Sequence, residues 1–347
     1  MISSIASAGN GITGRSLLDG ILSRWLMFGD HGTVARRHMA VVWSCVGGCA
    51  LVDVVCLMNS RLSFAPSNWT EILQGVVYYA LGAAFITIAA GRLRSDPTRA
   101  AAVLRAALGR TALLLQASLP IAALLIAGVT LSYLITAANL PLRDAALAQI
   151  DRALGFDWLG FLQAANGSPV LTTLLVRAYQ TVGPVAEFAI VWLALTGRGE
   201  RLAEFVAVLG LSTVGLCVVM WFVPAAGAFA HYRPEPQLFG NLSALGEMWP
   251  FFHAFTMLRD GSLTAIDLSA LEGVVSFPSF HTVLGVITIY ALRDRLVLLV
   301  PALIVNGTMI VSTMPVGGHH LIDVVAGAAV SLGAILVTRR YSTSPSS

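Results

Sequence analysis

The sequence predicts an all-α protein, a polytopic membrane bundle of about eight transmembrane helices. Of its 347 residues, 56% are hydrophobic and 11% are charged, and the mean hydropathy is +0.79. The apolar residues occur in runs of about 18 or more, which is long enough to cross a bilayer. A soluble protein with buried helices would need a polar face on its outer helices, and most of these runs have none. The composition therefore favours a membrane protein over a soluble one.

The basic residues support both the number of spans and their orientation. The chain has no lysine, so all 21 of its permanent cations are arginines. With a cytoplasmic N-terminus, fifteen arginines fall in inner segments, five fall in outer segments, and Arg177 lies within a span. Cytoplasmic loops carry such an excess of positive charge. The predicted spans lie at about 39–58, 70–91, 111–137, 169–195, 203–224, 279–292, 296–314 and 320–337, the sixth being short enough to begin at the interface.

Two segments outside the spans have the pattern of amphipathic helices. Each repeats apolar residues at spacings of three and four, next to polar residues. Both fit helices in the headgroup plane, and both equally fit helices packed on neighbouring loops. We expect the long outer loop 225–278 to be ordered, because it contains Pro, Gly, Trp and Phe instead of low-complexity sequence. The apolar positions are Leu18, Ile21, Leu22 and Trp25 in the first segment and Leu147, Ile150, Leu154, Trp158 and Phe161 in the second.

The four cysteines lie inside apolar runs and are interpreted as packing residues. Cys45, Cys49 and Cys56 share one face of the first span, and Cys217 lies in the fifth. A metal or redox role is the alternative, and no disulfide framework is inferred. The first residues, MISSIASAGNG, lack the basic and apolar parts of a cleavable signal peptide. No nucleic-acid signature is present, so the expected surroundings are membrane lipids.

The chemistry is predicted from two stretches, SFPSFHTVLG at 276–285 and GGHHLIDVVAG at 317–327. His281 and His319 stand at the outer ends of the sixth and eighth spans, so both imidazoles reach the same membrane face. Asp323 follows His319 by four residues, which places the two side chains on one helix face. Such a carboxylate holds one ring N–H and makes the other nitrogen more nucleophilic. The turn at Pro278 and Ser279 exposes backbone N–H groups at a helix start, where anions bind.

These two stretches resemble the second and third signature motifs of the type 2 phosphatidic acid phosphatase superfamily, PSGH and SRxxxxxHxxxD. The first motif reads Pro278 to His281, and the second runs from Ser312 through His319 to Asp323 with matching spacing. The flanking residues are similar to the branch that contains inositol phosphorylceramide synthases and related bacterial membrane phosphatases. The resemblance covers about residues 147 to 330. It implies a six-helix phosphatase core and a metal-independent, two-step displacement at phosphorus.

In that chemistry, the resemblance assigns each residue a role. His319 attacks phosphorus, His281 protonates the departing oxygen and later deprotonates the acceptor, and Asp323 orients His319. Ser279 and nearby N–H groups hold the non-bridging oxygens, and the substrate-binding set also includes Phe280, Gly318, His320, Arg233 and Arg259. His320 points about 100° away from the Asp323 face, so we prefer an indirect role for it.

The chain departs from the motifs at three positions. Phe280 replaces the motif glycine, which the named branch tolerates, and Thr313 replaces the motif arginine. The first signature, KxxxxxxRP, keeps only Arg233 and Pro234, with Ala226 at the lysine position. Arginines must therefore supply every permanent cation, and Arg233 and Arg259 are the outer candidates, unless they are ordinary loop residues.

Other polar residues have less specific interpretations. Arg177 and Asp53 lie at similar depth in two spans, and a structural pair between them is slightly favoured over a phosphate role for Arg177. Glu187, Tyr179 and Gln180 either line a headgroup cavity or pack between helices. His231 and His253, in the outer loop, are expected to be solvated unless they contact substrate.

The sequence therefore predicts a multi-pass enzyme with cytoplasmic termini and an extracytoplasmic site that acts on a lipid phosphate, with no cofactor and no metal. The predicted divisions are an N-terminal segment 1–38, two extra helices at 39–110, a core at 111–337 and a tail at 338–347. Hydrolysis and transfer to a lipid hydroxyl both fit. A metal site formed by His281, His319, His320 and Asp323, or a transporter with histidines in its vestibule, are the alternatives. The oligomeric state is left open.

Overall fold

The protein is a helical bundle in the computed structural model, which describes residues 23–245, 249 and 251–343. The predicted apolar positions Leu18, Ile21 and Leu22 lie outside the described residues. Within these residues the only sheet is a parallel pair, β1 (Ser63–Phe64) and β2 (Ala265–Ile266). The α-helices in chain order are α1 (Gly32–Met58), α2 (Pro66–Arg92), α3 (Arg99–Ala137), α4 (Asp144–Ala153), α5 (Trp158–Asn166), α6 (Pro169–Tyr179), α7 (Val182–Leu195), α8 (Gly199–Phe222), α9 (Ala228–Tyr232), α10 (Gly240–Ser243), α11 (Phe251–Asp260), α12 (Phe280–Ala291), α13 (Leu296–Ser312) and α14 (Leu321–Thr343).

Five helices in the described part of the chain, α1, α2, α3, α8 and α14, are long and apolar enough to cross a membrane. The count rises to six if α5 and α6, which meet at a 109° bend, form one broken span. The predicted eight is therefore not reached on length and composition. The 12 residues of α12 cover only about 18 Å at 1.5 Å per residue, against about 30 Å of hydrocarbon.

The predicted continuous span 169–195 is divided into two helices. Helix α6 ends at Tyr179, and α7 begins at Val182. Pro184 explains the interruption, because it has no N–H with which to bond the Gln180 carbonyl one turn earlier. The break lies beside the site described below, so Tyr179 ends a helix there.

Helix α8 lies at the centre of the bundle, where it packs against α1, α3, α12 and α14. Its residues Leu202, Ala203, Val206 and Ala207 have no exposed surface. Small side chains along α8 allow neighbouring backbones to approach closely, as the membrane environment favours. By contrast, α2 lies at the periphery and packs on α3.

The two ends of the bundle differ in chemistry. At one end, Arg201 pairs with Asp294 at 2.7 Å, and Arg293 pairs with Glu204 at 3.0 Å. At the other end, the amide of Ser279 donates to the Asp323 carbonyl at 3.0 Å, which joins the starts of α12 and α14. The histidine motifs therefore lie at the end of the bundle opposite to this arginine cluster.

The long loop 225–278 is folded over the histidine end wherever it is described. It contains α9, α10, α11 and β2. Asn68 fastens it to the α1–α2 connection, because its Nδ2 donates to the Ile266 carbonyl at 2.7 Å and its Oδ1 accepts from the Leu268 amide at 3.0 Å. The loop and the α1–α2 connection therefore lie on the same side of the bundle, as the alternating topology requires.

The second predicted amphipathic segment does not present one continuous apolar stripe. Leu147 and Trp158 are buried, whereas Ile150 and Leu154 are exposed. A glycine with positive φ, Gly155, separates α4 from α5, so the periodicity of a single helix does not continue across it.

The predicted pair between Asp53 and Arg177 is wrong. The guanidinium of Arg177 is exposed and its Nη1 lies 3.3 Å from the Gln180 Oε1. Asp53 is buried on α1, and its Oδ1 has no hydrogen-bond partner among the described residues. Similar depth in two spans did not make the two residues neighbours, because α1 packs on α3 and α8 and not on α6.

Candidate active site

The site is formed where the starts of α12 and α14 touch. Ser279 is the N-cap of α12, and its Oγ accepts from the Thr282 amide at 3.4 Å. Gly327 on α14 packs directly on this cap, since a Cβ there would clash with the Ser279 carbonyl. The missing side chain at Gly327 thus lets the two helices approach closely enough to bring His281 near His319.

His319 lies in the loop before α14 and is held from both sides of its ring. Its Nδ1 lies 3.2 Å from the Asp323 Oδ2, and its Nε2 lies 3.4 Å from the Ser279 Oγ. Because the Asp323 Oδ2 also accepts the His320 amide, we assign the ring N–H to Nδ1 and the lone pair to Nε2. Burial lowers the pKa of His319 to about 4. The ring is therefore neutral near pH 7, with its free nitrogen on the side of Ser279.

His281 stands in the first turn of α12 and shares a cavity with His319. Its ring stacks on Tyr179, with centroids 4.3 Å apart and an 18° angle between planes. The centroids of the two imidazoles are 6.4 Å apart, at 62°. Since hydrogen bonds to nitrogen span about 2.7–3.2 Å, one tetrahedral phosphate fits between the rings. The structure thus brings the two sequence-predicted histidines into reach of a single phosphorus centre.

The shared cavity has a volume of about 180 Å³ and extends between α3 and α8. Its walls there are mainly apolar, and the exposed Glu272 lies at the loop side with His281 and His319. Phe280 also lines the cavity, as predicted for a substrate contact. The lining residues from the two helices are Leu124, Leu125, Gly128, Val129, Ser132, Leu209, Thr213, Leu216 and Cys217.

The Ser279 amide is not free to bind a phosphate, contrary to one sequence expectation. It donates to the Asp323 carbonyl, so only the Oγ of Ser279 faces His319. The cap leaves the amides of Phe280 and His281 without an intrahelical acceptor, as at any helix start. These two amides are the backbone donors that the first turn of α12 can offer to an anion.

His320 lies behind His319, between two buried carboxylates. Its Nδ1 is 3.3 Å from the Asp151 Oδ2, and its Nε2 is 3.7 Å from the Asp144 Oδ1. These separations describe an ion pair more than well-formed hydrogen bonds. Burial by itself lowers the pKa of His320, but the carboxylates of Asp144, Asp323 and Asp151 together raise it above its ordinary value. The ring has no exposed surface, so the structure does not bring it to the substrate cavity.

The same two carboxylates also accept backbone amides on either side of the site. Asp144 accepts from the Ala226 amide and from the Gly227 amide, the latter at 2.8 Å. Asp151 accepts from the amides of Leu321 and Ile322 at 3.0 and 2.9 Å, which caps the start of α14. In the sequence, the only signal for this function of the two aspartates is the i, i+7 spacing of two acidic residues, which did not predict it.

Gly318 and Trp158 fix the backbone around His319. Gly318 has φ +69°, and a Cβ there would lie 2.7 Å from the Trp249 ring. Trp158 donates its Nε1–H to the His319 carbonyl at 3.0 Å. Gly318 was predicted to bind substrate, and the structure gives it a conformational reason to be glycine.

The structure does not place the two predicted phosphate-binding arginines in the histidine cavity. Arg233 and Arg259 line a separate cavity of about 790 Å³ together with His231 and Asp144. Thr313, at the motif arginine position, is buried and accepts the His319 amide at 3.2 Å through its carbonyl. Among the described residues, no arginine lines the histidine cavity.

Of the polar residues with less specific sequence interpretations, some lie at the site and others at the surface. Tyr179 lines the histidine cavity, whereas Glu187 and His253 are exposed and do not line it. No group of three or more His, Cys, Asp or Glu side chains in the described residues is arranged to hold a metal ion. The four cysteines are unbridged, and Cys45, Cys49 and Cys217 are buried.

Comparison with known proteins gives one match. A family model described as the PAP2 superfamily matches residues 145–337, more than half of the 347 residues. The matched region contains α5 to α13, most of α14 and both histidine motifs. Neither a curated protein nor a solved structure shows a significant match to the chain.

Proposed function

The chain belongs to the PAP2 superfamily, and from that premise we propose that it is an integral-membrane phosphatase or phosphotransferase that acts on a lipid phosphate through a phosphohistidine on His319. Membership in the superfamily supports a phosphatase-like activity on lipid phosphates in general. The observation that carries the finer proposal is the 6.4 Å separation of the His281 and His319 rings in one cavity, with Asp323 bonded to the far side of His319.

In the first step, the Nε2 lone pair of His319 attacks phosphorus. The Nε2–P bond forms and the bond from phosphorus to the lipid oxygen breaks. His281 enters this step as the imidazolium, gives its proton to the departing oxygen and becomes neutral. The hydrogen bond that the Ser279 O–H donates changes its acceptor from the His319 Nε2 to a phosphate oxygen. The positive charge that develops on the His319 ring is stabilised by the Asp323 carboxylate, through the Nδ1–H bond.

In the second step, His281 removes a proton from the incoming hydroxyl, whose oxygen attacks phosphorus as the Nε2–P bond breaks. Water as acceptor releases inorganic phosphate, and a lipid hydroxyl gives a new phosphodiester or phosphomonoester. The first-turn amides of α12 and the Ser279 Oγ bind the non-bridging oxygens. These neutral donors stand where the motif family uses cations, because Thr313 and Ala226 replace the motif arginine and lysine.

The apolar part of the cavity favours a lipid substrate. From the two histidines it extends between α3 and α8, where Leu124, Leu125 and Leu216 line it. An acyl or isoprenyl chain bound there leaves water and transfers apolar surface to apolar walls. We assign the catalytic core to residues 111–337, which includes α3 in addition to the matched region.

We place the site on the extracytoplasmic face. The histidine end of the bundle lies opposite to the Arg201 and Arg293 cluster, and the positive-inside rule assigns such clusters to the cytoplasm. A cysteine introduced at the exposed Glu272 of a chain without its four native cysteines would be labelled from outside by an impermeant maleimide. Labelling only after the membrane is permeabilised would contradict this orientation.

Transfer to a lipid hydroxyl is the second candidate, and it also belongs to the resemblance with inositol phosphorylceramide synthases. The exposed carboxylate of Glu272 at the cavity favours it, since a carboxylate accepts hydrogen bonds from a hydroxyl-bearing headgroup or acceptor. A Glu272→Gln variant that loses transfer while it keeps hydrolysis would support this candidate.

The test is purified protein with a panel of lipid phosphates, following released phosphate and new lipids by mass spectrometry. We expect His319→Ala to abolish turnover and His281→Ala to slow it strongly. His253→Ala is the matched control, because His253 is exposed in the outer loop and lies outside the cavity. A phosphate label that is stable in alkali, labile in acid and absent from His319→Ala supports the phosphohistidine.

Three outcomes would contradict the proposal. If His319→Ala turned substrate over at the rate of the His253→Ala control, His319 would not be the nucleophile. Loss of activity in EDTA that added metal restores, without inhibition by vanadate, would favour a metal-dependent reaction. A well-folded protein that neither releases nor transfers phosphate from any lipid in the panel would favour a transporter.

A further inference from the structure

A second cleft, of about 800 Å³, lies on the other side of the contact between α3 and α8. The two helices close this contact at Gly128, where a Cβ would clash with Thr213. The Sγ of Cys217 also lies 3.9 Å from the Gly128 carbonyl. The cleft is therefore separate from the histidine cavity, and its wall from α1 lies outside the region that matches the PAP2 superfamily.

The deep wall of the cleft is the cysteine face of α1. Cys45, Gly48, Cys49, Val52 and Cys56 line it at spacings of three and four residues, so they form one apolar stripe. From residue 45 to residue 56 this stripe covers about 16 Å at 1.5 Å per residue. That length is close to the hydrocarbon depth of one leaflet, about half of 30 Å.

The cleft opens towards the bilayer. Val52, Val218, Trp221 and Phe222 all line it, and each has a large exposed fraction, which reaches 71% for Phe222. All four belong to α1 or α8, which are candidate membrane spans. Apolar side chains exposed at this depth contact lipid, so acyl chains have direct access to the stripe on α1.

Two guanidinium groups stand at the loop end of the cleft. Arg61 follows the end of α1, and its Nη1 lies over the turn at Gly261. Arg259 lies in the last turn of α11 and lines both this cleft and the cavity of about 790 Å³ described above. It donates one N–H to the Leu140 carbonyl at 3.0 Å. Neither arginine forms an ion pair with another described residue. Asp260 also lines the cleft, but its Oδ1 already accepts from the Ser262 amide at 2.8 Å.

We propose that this cleft binds one anionic phospholipid of the leaflet in which the histidine site lies. The phosphate contacts Arg61 and Arg259, and an acyl chain follows the cysteine face of α1. Two unpaired cations above an apolar stripe one leaflet long match the charge and the shape of such a lipid. A free phosphate would leave the apolar stripe empty. With the Asp260 carboxylate in the same cleft, the two arginines leave a net charge of +1, which one anionic lipid neutralises and a zwitterionic lipid does not.

Two adjacent glycines of α1 provide a matched test. Both Gly47 and Gly48 are exposed, and a Cβ at either would meet no atom within 4 Å, so a side chain can be started at each position. Leucine is the substitution used at both. Gly48 lines the cleft, and Gly47 does not. Each variant is reconstituted with equal phosphatidylglycerol and phosphatidylcholine, repurified, and analysed for bound lipid by mass spectrometry.

We expect Gly48→Leu to retain at least about fivefold less phosphatidylglycerol than Gly47→Leu, because the new side chain occupies the acyl-chain path. Arg61→Gln and Arg259→Gln should each reduce the preference for phosphatidylglycerol over phosphatidylcholine by about fivefold. Equal retention by the two leucine variants, or a bound lipid with no charge preference in the parent protein, would overturn the proposal. His319→Ala should keep the lipid, so this result is independent of whether the proposed reaction is correct.

Discussion

Replacing Asp323 with asparagine tests whether this carboxylate activates His319. The Asp323 Oδ2 lies 3.2 Å from the His319 Nδ1 and accepts the His320 amide at 2.9 Å. The amide of an asparagine has one acceptor oxygen and no charge, so it cannot stabilise the charge that develops on His319. A hydrogen bond to a charged group contributes about 1.5–3 kcal/mol. We therefore expect kcat to fall about 10- to 100-fold, as measured by phosphate release from the best lipid substrate.

Asp151→Asn is the matched control for this prediction. Asp151 is also fully buried and also accepts backbone amides at the start of α14, but it contacts His320 and not His319. We expect Asp151→Asn to lower the thermal midpoint of unfolding while kcat, per folded molecule, stays within about threefold of the parent. Equal losses of kcat in Asp323→Asn and Asp151→Asn would refute the proposed role of Asp323, because both would then act only through the shape of the loop.

Three further predictions concern pH, the glycine turn and stability. Because burial places the pKa of His319 at about 4, the loss of its lone pair on protonation should give the profile of kcat/KM against pH an acidic limb centred near pH 4. An acidic limb centred near the ordinary histidine value would contradict the burial. Gly318→Ala should cost about 1–2 kcal/mol, because alanine disfavours the left-handed conformation of this position, and the new Cβ should push the His319 loop away from Trp249. Both the thermal midpoint of unfolding and kcat should therefore fall. A variant with parental kcat would show that the loop tolerates the shift. Glu204→Gln should lower the free energy of unfolding in detergent by about 1–3 kcal/mol, because it leaves Arg293 without its charged partner at 3.0 Å. An unchanged unfolding curve would show that the ion pair does not contribute to stability.

The His320 cluster adds a second pH dependence, of stability and not of turnover. The carboxylates around His320 raise its pKa, so protonated His320 stabilises the folded state fully below the ordinary histidine pKa near 6.5. That contribution is lost as the pH increases through the raised value. The arrangement gives the loop of His319 an ion pair that does not touch the substrate cavity.

The residues that act through local spacing could be predicted from the sequence. The i, i+4 relation of His319 and Asp323 predicted their contact, although His319 lies in the loop before α14 and not on its helix face. The one inward and one outward crossing between the motifs predicted the approach of His281 to His319. Residues that act across long separations could not. Trp158 bonds the carbonyl of His319 across 161 positions, and no periodicity in either segment indicates it.

The cavities lined by Arg233 and Arg259 also could not be predicted from the sequence. Arg233 and Arg259 lie in outer segments, as the sequence indicates, but membership in a loop does not determine which cavity a side chain enters. The apolar composition of span 169–195 predicted one continuous helix, but the structure divides it into two. Pro184 was the sequence signal for this division.

By itself, the sequence determined the membrane-protein composition of the chain and the histidine motifs from which its chemistry is proposed. Hydropathy and the spacing of the motif residues depend only on positions along the chain, so both are local properties. The tertiary structure decided which carboxylates hold His320, which cavity the arginines line, and where α3 and α8 separate the histidine cavity from the cysteine-lined cleft. Those outcomes depend on how helices distant in sequence pack against one another, which is set by the fit of many side chains at once and by no single segment.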